Sequence, residues 1–285
     1  MKICRFENAE GDIKIGLVEN DSTIIDLSPT GMDRLGRVLE SEDPQAQVTA
    51  LCHPQLPRWT LSEVCLQAPV DGQEVWAAGV TYLRSKKARM EESDFSATAY
   101  DRVYAAERPE LFFKSLSEKV AAPGEAVGIR RDARWSVPEP ELALVLNSHG
   151  RVTGYTIGND MSSRDIEGEN LLYLPQAKIY RHSCALGPWI LVGASESDAR
   201  EWTIAVAIER AGARVFQGET SIGQIKRRFE DLARFLFRSQ DFPRGAVLLT
   251  GTGIVPPEGF TLKENDVVEI RISGIGVLRN PVAVV

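Results

Sequence analysis

The fold is decided by residues 137–146, which read VPEPELALVL. The apolar run 142–146 has the length of a buried strand. Because side chains alternate along a strand, Glu139 and Glu141 are expected on the same face of it. Two carboxylates that lead into a buried strand repel each other and are costly to desolvate, which favours a bound cation between them. An exposed strand start with two solvated glutamates also fits this short pattern, so both interpretations stay open.

The next stretch brings a third carboxylate to the same end of the predicted sheet. After a turn at 147–150, residues 152–158 are predicted to return as a strand that ends near Asp160. Asp160 alone also fits a turn or cap residue. Three carboxylates that converge at one end of a hairpin instead favour a hard cation such as Mg2+. Arg164, which follows, is expected to pair with a local carboxylate rather than with a substrate.

Lys178 lies among apolar and small residues in the stretch 173–180. A divalent cation nearby disfavours the ammonium form, so a lysine in such a place can act as a base at neutral pH. A surface lysine whose stem covers apolar neighbours is the ordinary alternative. His182 and Cys184 are two residues apart, but no further histidine or cysteine is near them in sequence, which argues against a zinc site.

Composition excludes several classes of protein. The chain has 285 residues, 33 basic and 40 acidic side chains, and a formal net charge of −7. Basic residues occur singly or in short groups such as Lys226-Arg227-Arg228, whereas nucleic-acid binders carry a basic face. The four cysteines form no CxxC pair, and no apolar run approaches the length of a membrane span. We therefore expect a cytoplasmic protein with free thiols, no signal peptide, and no nucleic-acid or membrane partner.

The order of the predicted elements divides the chain into two domains. Alternating apolar residues predict a strand at 13–17, helical spacing predicts a helix at 29–40, and a polar, proline-bearing stretch at 41–60 predicts a linker. The boundary is therefore placed near residue 65, with a small N-terminal domain at 1–65 and a second domain at 66–285.

In the second domain, β signals dominate, and one helix interrupts them. The helix is predicted over 225–236, with Ser221 and Gln224 as its capping box. The charge-dense segment 83–108 fits a solvated helical excursion, and it also fits a mobile lid over a site.

Four motifs follow one another along the chain: Glu139-x-Glu141, NDMSSRD at 159–165, Lys178 before Gly187-Pro188, and TGTG at 250–253. Together they resemble the fumarylacetoacetate hydrolase superfamily over about residues 70–285. The resemblance implies an α+β, mostly β fold, with a rolled β-sheet catalytic domain after a small N-terminal α/β domain. It also implies a homodimer or homotetramer and a divalent ion, Mg2+ or else Mn2+ or Ca2+, held by Glu139, Glu141 and Asp160. Lys178 takes the position of the family's site lysine, and Thr252 lies where the family contacts substrate.

Two departures indicate a branch of the superfamily. Hydrolase and decarboxylase members place a water-activating His and Glu where this chain has Ser85 and Ala88. Neither residue can activate water, and the chain instead resembles the 2-keto-3-deoxy-D-arabinonate dehydratase branch, which implies Glu110 and Lys178 as the acid–base pair. Glu110 alone fits an ordinary loop glutamate, but the apolar residues 111–113 after it predict a partly buried carboxyl group, as a proton donor needs. The stretches that carry this likeness are 79–82, 108–114, 135–141 and 172–180.

The resemblance therefore implies a metal-dependent hydro-lyase. We hypothesise that Lys178 removes a C3 proton from a five-carbon 2-oxo-3-deoxy sugar acid and that Glu110 protonates the departing C4 hydroxyl, which gives 2,5-dioxopentanoate. Lys114, Thr252 and Ser85 are expected to contact the substrate. The alternative enzyme is a metal-dependent hydrolase or decarboxylase of acylpyruvate-like diketo acids, with Glu110 as a replacement water activator. The non-enzymatic alternative is a metal-binding sugar-acid sensor, although no helix-turn-helix signal supports it.

Overall fold

Strands are the main regular secondary structure in the computed structural model, which describes residues 1–83 and 102–285. Most of the charge-dense segment 83–108 lies outside these residues, and so do Ser85 and Ala88; the lid and the substrate contact of Ser85 stay predictions. The strands of the described residues are β1 (Lys2–Glu7), β2 (Ile13–Glu19), β3 (Thr23–Asp26), β4 (Arg58–Thr60), β5 (Cys65–Gln67), β6 (Glu74–Gly79), β7 (Glu110–Ser115), β8 (Val127–Ile129), β9 (Ser136–Val137), β10 (Pro140–Leu146), β11 (Val152–Asp160), β12 (Ser162–Ser163), β13 (Cys184–Val192), β14 (Thr203–Arg210), β15 (Ala213–Ser221), β16 (Ala246–Leu249), β17 (Val267–Ile272) and β18 (Gly276–Val284).

The strands form one large and one smaller sheet, which confirms the predicted mostly β class. Eleven described strands form the large mixed sheet, in the order β4-β3-β2-β1-β13-β11-β10-β16-β6-β7, with β5 beside β1. The neighbours β16 and β6 run parallel, and β7 closes the sheet at one end of this order. The smaller sheet has the order β15-β14-β17-β18-β8, and β9 pairs with β12. The hairpin β10–β11 therefore lies inside the large sheet, while β7 lies at its edge.

Helices are short and connect the strands. None of the helices in the described residues is long and apolar enough to cross a membrane. Residues 102–105 are also helical. The remaining α-helices with both ends in the described residues are α1 (Gly36–Leu39), α2 (Pro44–Leu51), α3 (Arg164–Glu169), α4 (Leu174–Lys178), α5 (Glu196–Arg200) and α6 (Phe229–Leu236).

The main hydrophobic core joins the two sheets. Leu142 and Leu144 of β10 and Ile157 of β11 are at most 1% exposed, and they share one buried cluster with Ile204 and Ile270 of the smaller sheet. Burying a side chain of this size stabilises the fold by about 1.5–3 kcal/mol. The apolar run in the middle of β10 therefore holds its polar end in a fixed place.

The N-terminal strands continue the large sheet. β1 pairs antiparallel with β13, with Lys2 opposite Leu191, so strands from both sides of residue 65 share one sheet. A second buried cluster packs Ile3, Leu35 and Val48 against Ile190 of β13. The predicted boundary near residue 65 stays a prediction.

Three local predictions need correction. The predicted linker contains α2, because Asp43 accepts a hydrogen bond from the backbone of Ala46 (2.9 Å) and Pro44 is compatible with a first helical turn. The predicted helix at 29–40 is interrupted at Gly31, which has a φ of +86°. Ser221 caps a 3-10 turn, Ile222–Gln224, and α6 starts later than predicted.

Candidate active site

Three buried carboxylates meet where β10 and β11 lie side by side. In the antiparallel register Pro140 is opposite Asn159, which places Glu139 and Glu141 beside Asp160. Each carboxylate offers one oxygen that lies within 4.8 Å of the oxygens of the other two. All three residues are at most 4% exposed. The predicted convergence is present in the structure, and the alternative of two solvated glutamates at a strand start is wrong.

Electrostatic repulsion within this cluster is visible at Glu141. Burial, followed by the charges of Asp160 and Glu139, raises the pKa of Glu141 well above its usual value. The backbone N–H of Gly251 donates to Glu141 Oε2 at 2.6 Å and partly offsets this effect. Gly251 has a φ of +89°, and a Cβ there would lie 2.2 Å from Thr81 Oγ1, so the TGTG turn needs glycine at this position. A cation among the three carboxylates would relieve the repulsion.

Lys178 ends α4 and points into the same cluster. Its Nζ donates to Glu139 Oε2 and Asp160 Oδ2, both at 2.8 Å, and to Ser162 Oγ at 2.6 Å. The residue is 2% exposed. The snorkelling surface lysine considered from sequence is therefore wrong, and Lys178 lies at the centre of the site.

Two further buried cations, Lys114 and Arg164, contact carboxylates of the cluster. Lys114 of β7 is fully buried, and its Nζ lies 2.5 Å from Asp160 Oδ1 and donates to the carbonyl oxygens of Met161 and Lys178. The guanidinium of Arg164 donates to Glu139 Oε1 at 3.0 Å, as the predicted pairing with a local carboxylate requires. Lys114 is not among the described residues that line the cavity, so its predicted contact with substrate stays a prediction.

Glu110 lines the same cavity from a different strand, β7. It starts β7 opposite Gly79 of β6, and its carboxylate lies so close that a Cβ on Gly79 would be 2.0 Å from Glu110 Oε2. A glycine at that position therefore leaves room for the acid. One cavity is lined by the following predicted site residues: Glu110, Glu139, Glu141, Asp160, Lys178 and Thr252.

Glu167 lines the same cavity and was missed by the sequence reasoning. It lies on α3 and is 4% exposed. The available signal was helical spacing, because Glu167 follows Arg164 by three residues and so shares its face. Without the boundaries of α3, nothing in the sequence distinguished it from the other acidic residues of that segment.

The charges of the site fit a divalent cation. Among the described residues, five carboxylates line the cavity and three buried cations support it, which leaves a formal charge of −2. Oxygen ligands from carboxylates are those that Mg2+ prefers. The carboxylates are Glu110, Glu139, Glu141, Asp160 and Glu167, and the cations are Lys114, Arg164 and Lys178.

Comparison with known proteins agrees with the site. The model of the fumarylacetoacetate hydrolase C-terminal domain matches residues 74–283. The chain belongs to the fumarylacetoacetate hydrolase family. This family match covers β6 to β18 and with them the whole cavity described above. It confirms the family and the fold class expected from the motifs.

Two curated relatives in this family are dehydratases. The chain is 46% identical to a probable 2-keto-3-deoxyxylonate dehydratase of Haloferax volcanii, over 76% of this chain and 74% of the relative. It is 38% identical to the 2-dehydro-3-deoxy-D-arabinonate dehydratase of Saccharolobus solfataricus, over 99% of this chain and 96% of the relative. The chain therefore resembles the dehydratase branch along nearly its whole length.

A solved structure gives the same likeness. The fold matches a 2-keto-3-deoxy-D-arabinonate dehydratase that was crystallised with magnesium and 2,5-dioxopentanoate, with a TM-score of 0.83 and 34% identity. The match covers 100% of this chain and 99% of that chain. The likeness includes the N-terminal strands, so it extends beyond the part covered by the family match.

Proposed function

We propose that the chain is a Mg2+-dependent dehydratase that converts a five-carbon 2-keto-3-deoxy sugar acid, 2-keto-3-deoxy-D-arabinonate, into 2,5-dioxopentanoate and water. The dehydratases of Haloferax volcanii and Saccharolobus solfataricus support the reaction class. The solved dehydratase with magnesium and 2,5-dioxopentanoate supports the metal and the product. The substrate is a small 2-oxo acid, and the loss of water involves no net oxidation or reduction, so the reaction needs no redox cofactor.

One observation carries the proposal: Lys178 and Glu110 line a single cavity that also holds the three-carboxylate cluster. A dehydration needs a base for the C3 proton and an acid for the C4 hydroxyl, which must act on adjacent carbons of one substrate. The cavity supplies an amine and a carboxyl group on different walls. No histidine is among the described residues that line it, in agreement with a mechanism without the family's His–Glu water activator.

The metal ion would be held by Glu139, Glu141 and Asp160. When bound, it supplies a Lewis acid for the 2-oxo group of the substrate and stabilises negative charge on that oxygen. The backbone N–H of Gly251 and the guanidinium of Arg164 would keep Glu141 and Glu139 in place, because each already donates to one carboxylate oxygen.

The protein's own groups move two protons. Lys178 Nζ donates to three acceptors as an ammonium, and a dication bound to the same carboxylates would disfavour this charged form. In its neutral form Lys178 Nζ takes a proton from C3 of the substrate. Glu110 gives a proton to the hydroxyl on C4, the C4–O bond breaks, and water leaves. A proton then moves from C5 to C3, and the resulting C4–C5 enol gains a proton at C4 as its C5 hydroxyl loses one, which gives the C5 aldehyde of 2,5-dioxopentanoate. The sum of the steps is the loss of one water.

The remaining site residues hold and orient. Thr252 lines the cavity, and we assign its hydroxyl to the substrate's polar oxygens. Lys114 orients Asp160 and the end of α4, because its ammonium contacts Asp160 Oδ1 and donates to the backbone carbonyl of Lys178. Ser162 Oγ accepts from Lys178 Nζ and fixes the direction of the base. Ser85, outside the described residues, keeps its proposed substrate contact.

Assembly and location are part of the proposal. We place the enzyme in the cytoplasm, since Cys4, Cys52, Cys65 and Cys184 are all free thiols, as is usual in a reducing compartment. We propose a homodimer or homotetramer, the assembly that the family resemblance implies. Size-exclusion chromatography with light scattering measures this state directly, and a monomer at micromolar concentration would contradict it.

The activity is tested with the purified full chain. It is mixed with 2-keto-3-deoxy-D-arabinonate and either Mg2+ or EDTA, and the aldehyde product is followed by derivatisation and mass spectrometry. We expect 2,5-dioxopentanoate with Mg2+ and almost none with EDTA. No turnover of this or any other 3-deoxy-2-oxo acid would refute the dehydratase, and turnover of acylpyruvates instead would favour the hydrolase alternative.

The base is tested with a matched pair of lysine variants. Lys178→Met should lower kcat by about a hundredfold to ten-thousandfold, the usual contribution of general acid–base catalysis. Lys119→Met, at an exposed lysine outside the cavity, should keep wild-type kcat. Full activity of Lys178→Met would refute the assignment of Lys178.

A further inference from the structure

Lys226-Arg227, the basic pair noted in the sequence, contacts the segment that leads to Glu110. The guanidinium of Arg227 donates to three backbone carbonyls of that segment: Val103 (3.0 Å), Ala106 (2.9 Å) and Glu107 (3.0 Å). These carbonyls lie at the C-terminal end of the helical residues 102–105. The last carbonyls of a helix have no partner within the helix, so a cation placed there satisfies them and also interacts favourably with the helix dipole.

Two neighbouring contacts fix the same segment. Lys226 Nζ donates to the carbonyl of Tyr104 at 2.6 Å and lies 4.3 Å from the centroid of the Tyr104 ring. The guanidinium of Arg108 lies 5.6 Å from the centroid of the Phe235 ring on α6. Residues 103–108 are therefore docked on the turn before α6 and on α6 itself, and Glu110 follows two residues later.

The Lys226-Arg227 turn is also joined to the opposite side of the cavity. The backbone N–H of Lys226 donates to the carbonyl of Thr81 at 3.1 Å. Thr81 Oγ1 in turn donates to the carbonyl of Thr250 at 2.6 Å, and both threonines are buried. Thr250 precedes Gly251, whose N–H holds Glu141. One turn therefore contacts the chain that leads to the acid directly, and it is linked through Thr81 to the loop that supports a carboxylate of the cluster.

We propose that Arg227, assisted by Lys226, is a positioning residue that sets the place of Glu110 relative to the carboxylate cluster. This inference rests on the proposed function for the role of Glu110. Arg227 touches neither the cavity nor its carboxylates, so it acts through the backbone of 103–107. Among the described strands β7 lies at the edge of the large sheet and begins at Glu110, so contacts to the segment before it help to hold the acid at one distance from the substrate.

The three consecutive basic residues differ in what they contact, which supplies a matched control. Arg228 is exposed and pairs with Glu230 at 2.5 Å, and its guanidinium makes no hydrogen bond to the described residues 103–108. A change at Arg228 therefore removes the same charge from the same turn and leaves the contacts to the segment intact. Arg227→Lys keeps the charge but replaces a planar fork by a single ammonium, which cannot donate to three carbonyls in the same geometry.

The experiment compares Arg227→Met, Arg227→Lys and Arg228→Met with the wild type in the full-length enzyme. A misplacement of about 1 Å costs on the order of a hundredfold in rate, so we expect Arg227→Met to lower kcat at least tenfold. KM and the Mg2+ affinity measured by calorimetry should stay within twofold, because the carboxylates lie on other strands. Arg227→Lys should be intermediate, and Arg228→Met should match the wild type.

Hydrogen exchange provides a readout that does not need catalysis. Backbone amides of residues 103–110 should exchange faster in Arg227→Met than in Arg228→Met or wild type, while those of β10 and β11 stay unchanged. Wild-type kcat in Arg227→Met would overturn the proposal, and so would an equal loss of kcat and Mg2+ affinity, which indicates general disruption. The two proposals fail on different results. If the wild type dehydrates no 2-keto-3-deoxy acid, the proposed function is wrong. If hydrogen exchange at 103–110 is unchanged in Arg227→Met, the anchoring of this segment by Arg227 is wrong.

Discussion

The two walls of the cavity are built in different ways. The carboxylate wall (Glu139, Glu141 and Asp160) lies on β10 and β11 and at the residue before β10, inside the large sheet, and every residue of β10 is buried. The acid wall (Glu110) lies at the start of the edge strand β7, after a segment docked on the protein by side-chain contacts to Lys226 and Arg227. Core packing therefore fixes the carboxylates, whereas Glu110 is held by its strand pairing with Gly79 and by the polar contacts of the segment before it. Variants should separate metal binding from proton donation.

The largest effect is expected on the carboxylate wall. Glu141→Gln keeps the shape of the side chain but removes one of three charges from the proposed metal ligands, so both Mg2+ affinity and kcat should fall. We expect kcat/KM to drop about a thousandfold, because a Lewis acid supplies several kcal/mol to the transition state. Steady-state kinetics and Mg2+ calorimetry measure this directly. Glu118→Gln, at an exposed glutamate outside the cavity, is the control; activity of Glu141→Gln within tenfold of wild type would contradict the ligand assignment.

A smaller and more selective effect is expected on the acid wall. Glu110→Gln removes the proton donor and should lower kcat about a hundredfold to a thousandfold, within the range for general acid catalysis. Mg2+ affinity should remain within twofold, because Glu110 is not one of the three clustered ligands. The exposed neighbour Glu107→Gln should keep wild-type kcat. A parallel loss of Mg2+ affinity in Glu110→Gln would mean that the two walls do not act separately.

Thermal stability sharpens the same comparison without substrate. Mg2+ at about a hundred times its Kd stabilises a folded protein by about 2.7 kcal/mol, which corresponds to a rise in Tm of roughly 4–5 °C for a chain of this size. Wild type, Glu110→Gln and Arg227→Met should all gain this rise relative to EDTA. Glu141→Gln should gain little of it. Calorimetric or fluorescence melting gives the values, and a full Mg2+ shift in Glu141→Gln would remove Glu141 from the ligand set.

The two walls also differ in how far sequence could predict them. Period-two alternation and the turn at 147–150 were sufficient to bring Glu139, Glu141 and Asp160 together, because these residues lie on one hairpin and depend only on local register. The role of Glu110 was predicted only from the family resemblance. Its place in the site depends on the pairing of β7 with β6, where its partner Gly79 lies 31 residues earlier in the chain. Arg227 carried no such signal: its partners at 103–107 are 120 to 124 residues away along the chain.

The smallest effect is expected when the carboxylate of Glu110 is displaced but not chemically changed. A Cβ on Gly79 would lie 2.0 Å from Glu110 Oε2, the free end of a flexible side chain, so Gly79→Ala should displace the carboxylate at little cost in stability. We expect kcat to fall about tenfold, equivalent to roughly 1.4 kcal/mol, while Tm and Mg2+ affinity stay near wild type. Gly168→Ala is the control, because nothing lies within 4 Å of a Cβ there and alanine favours helix. Unchanged kcat in Gly79→Ala would mean that catalysis does not depend on where this carboxylate lies, which would remove the proton donor from the acid wall.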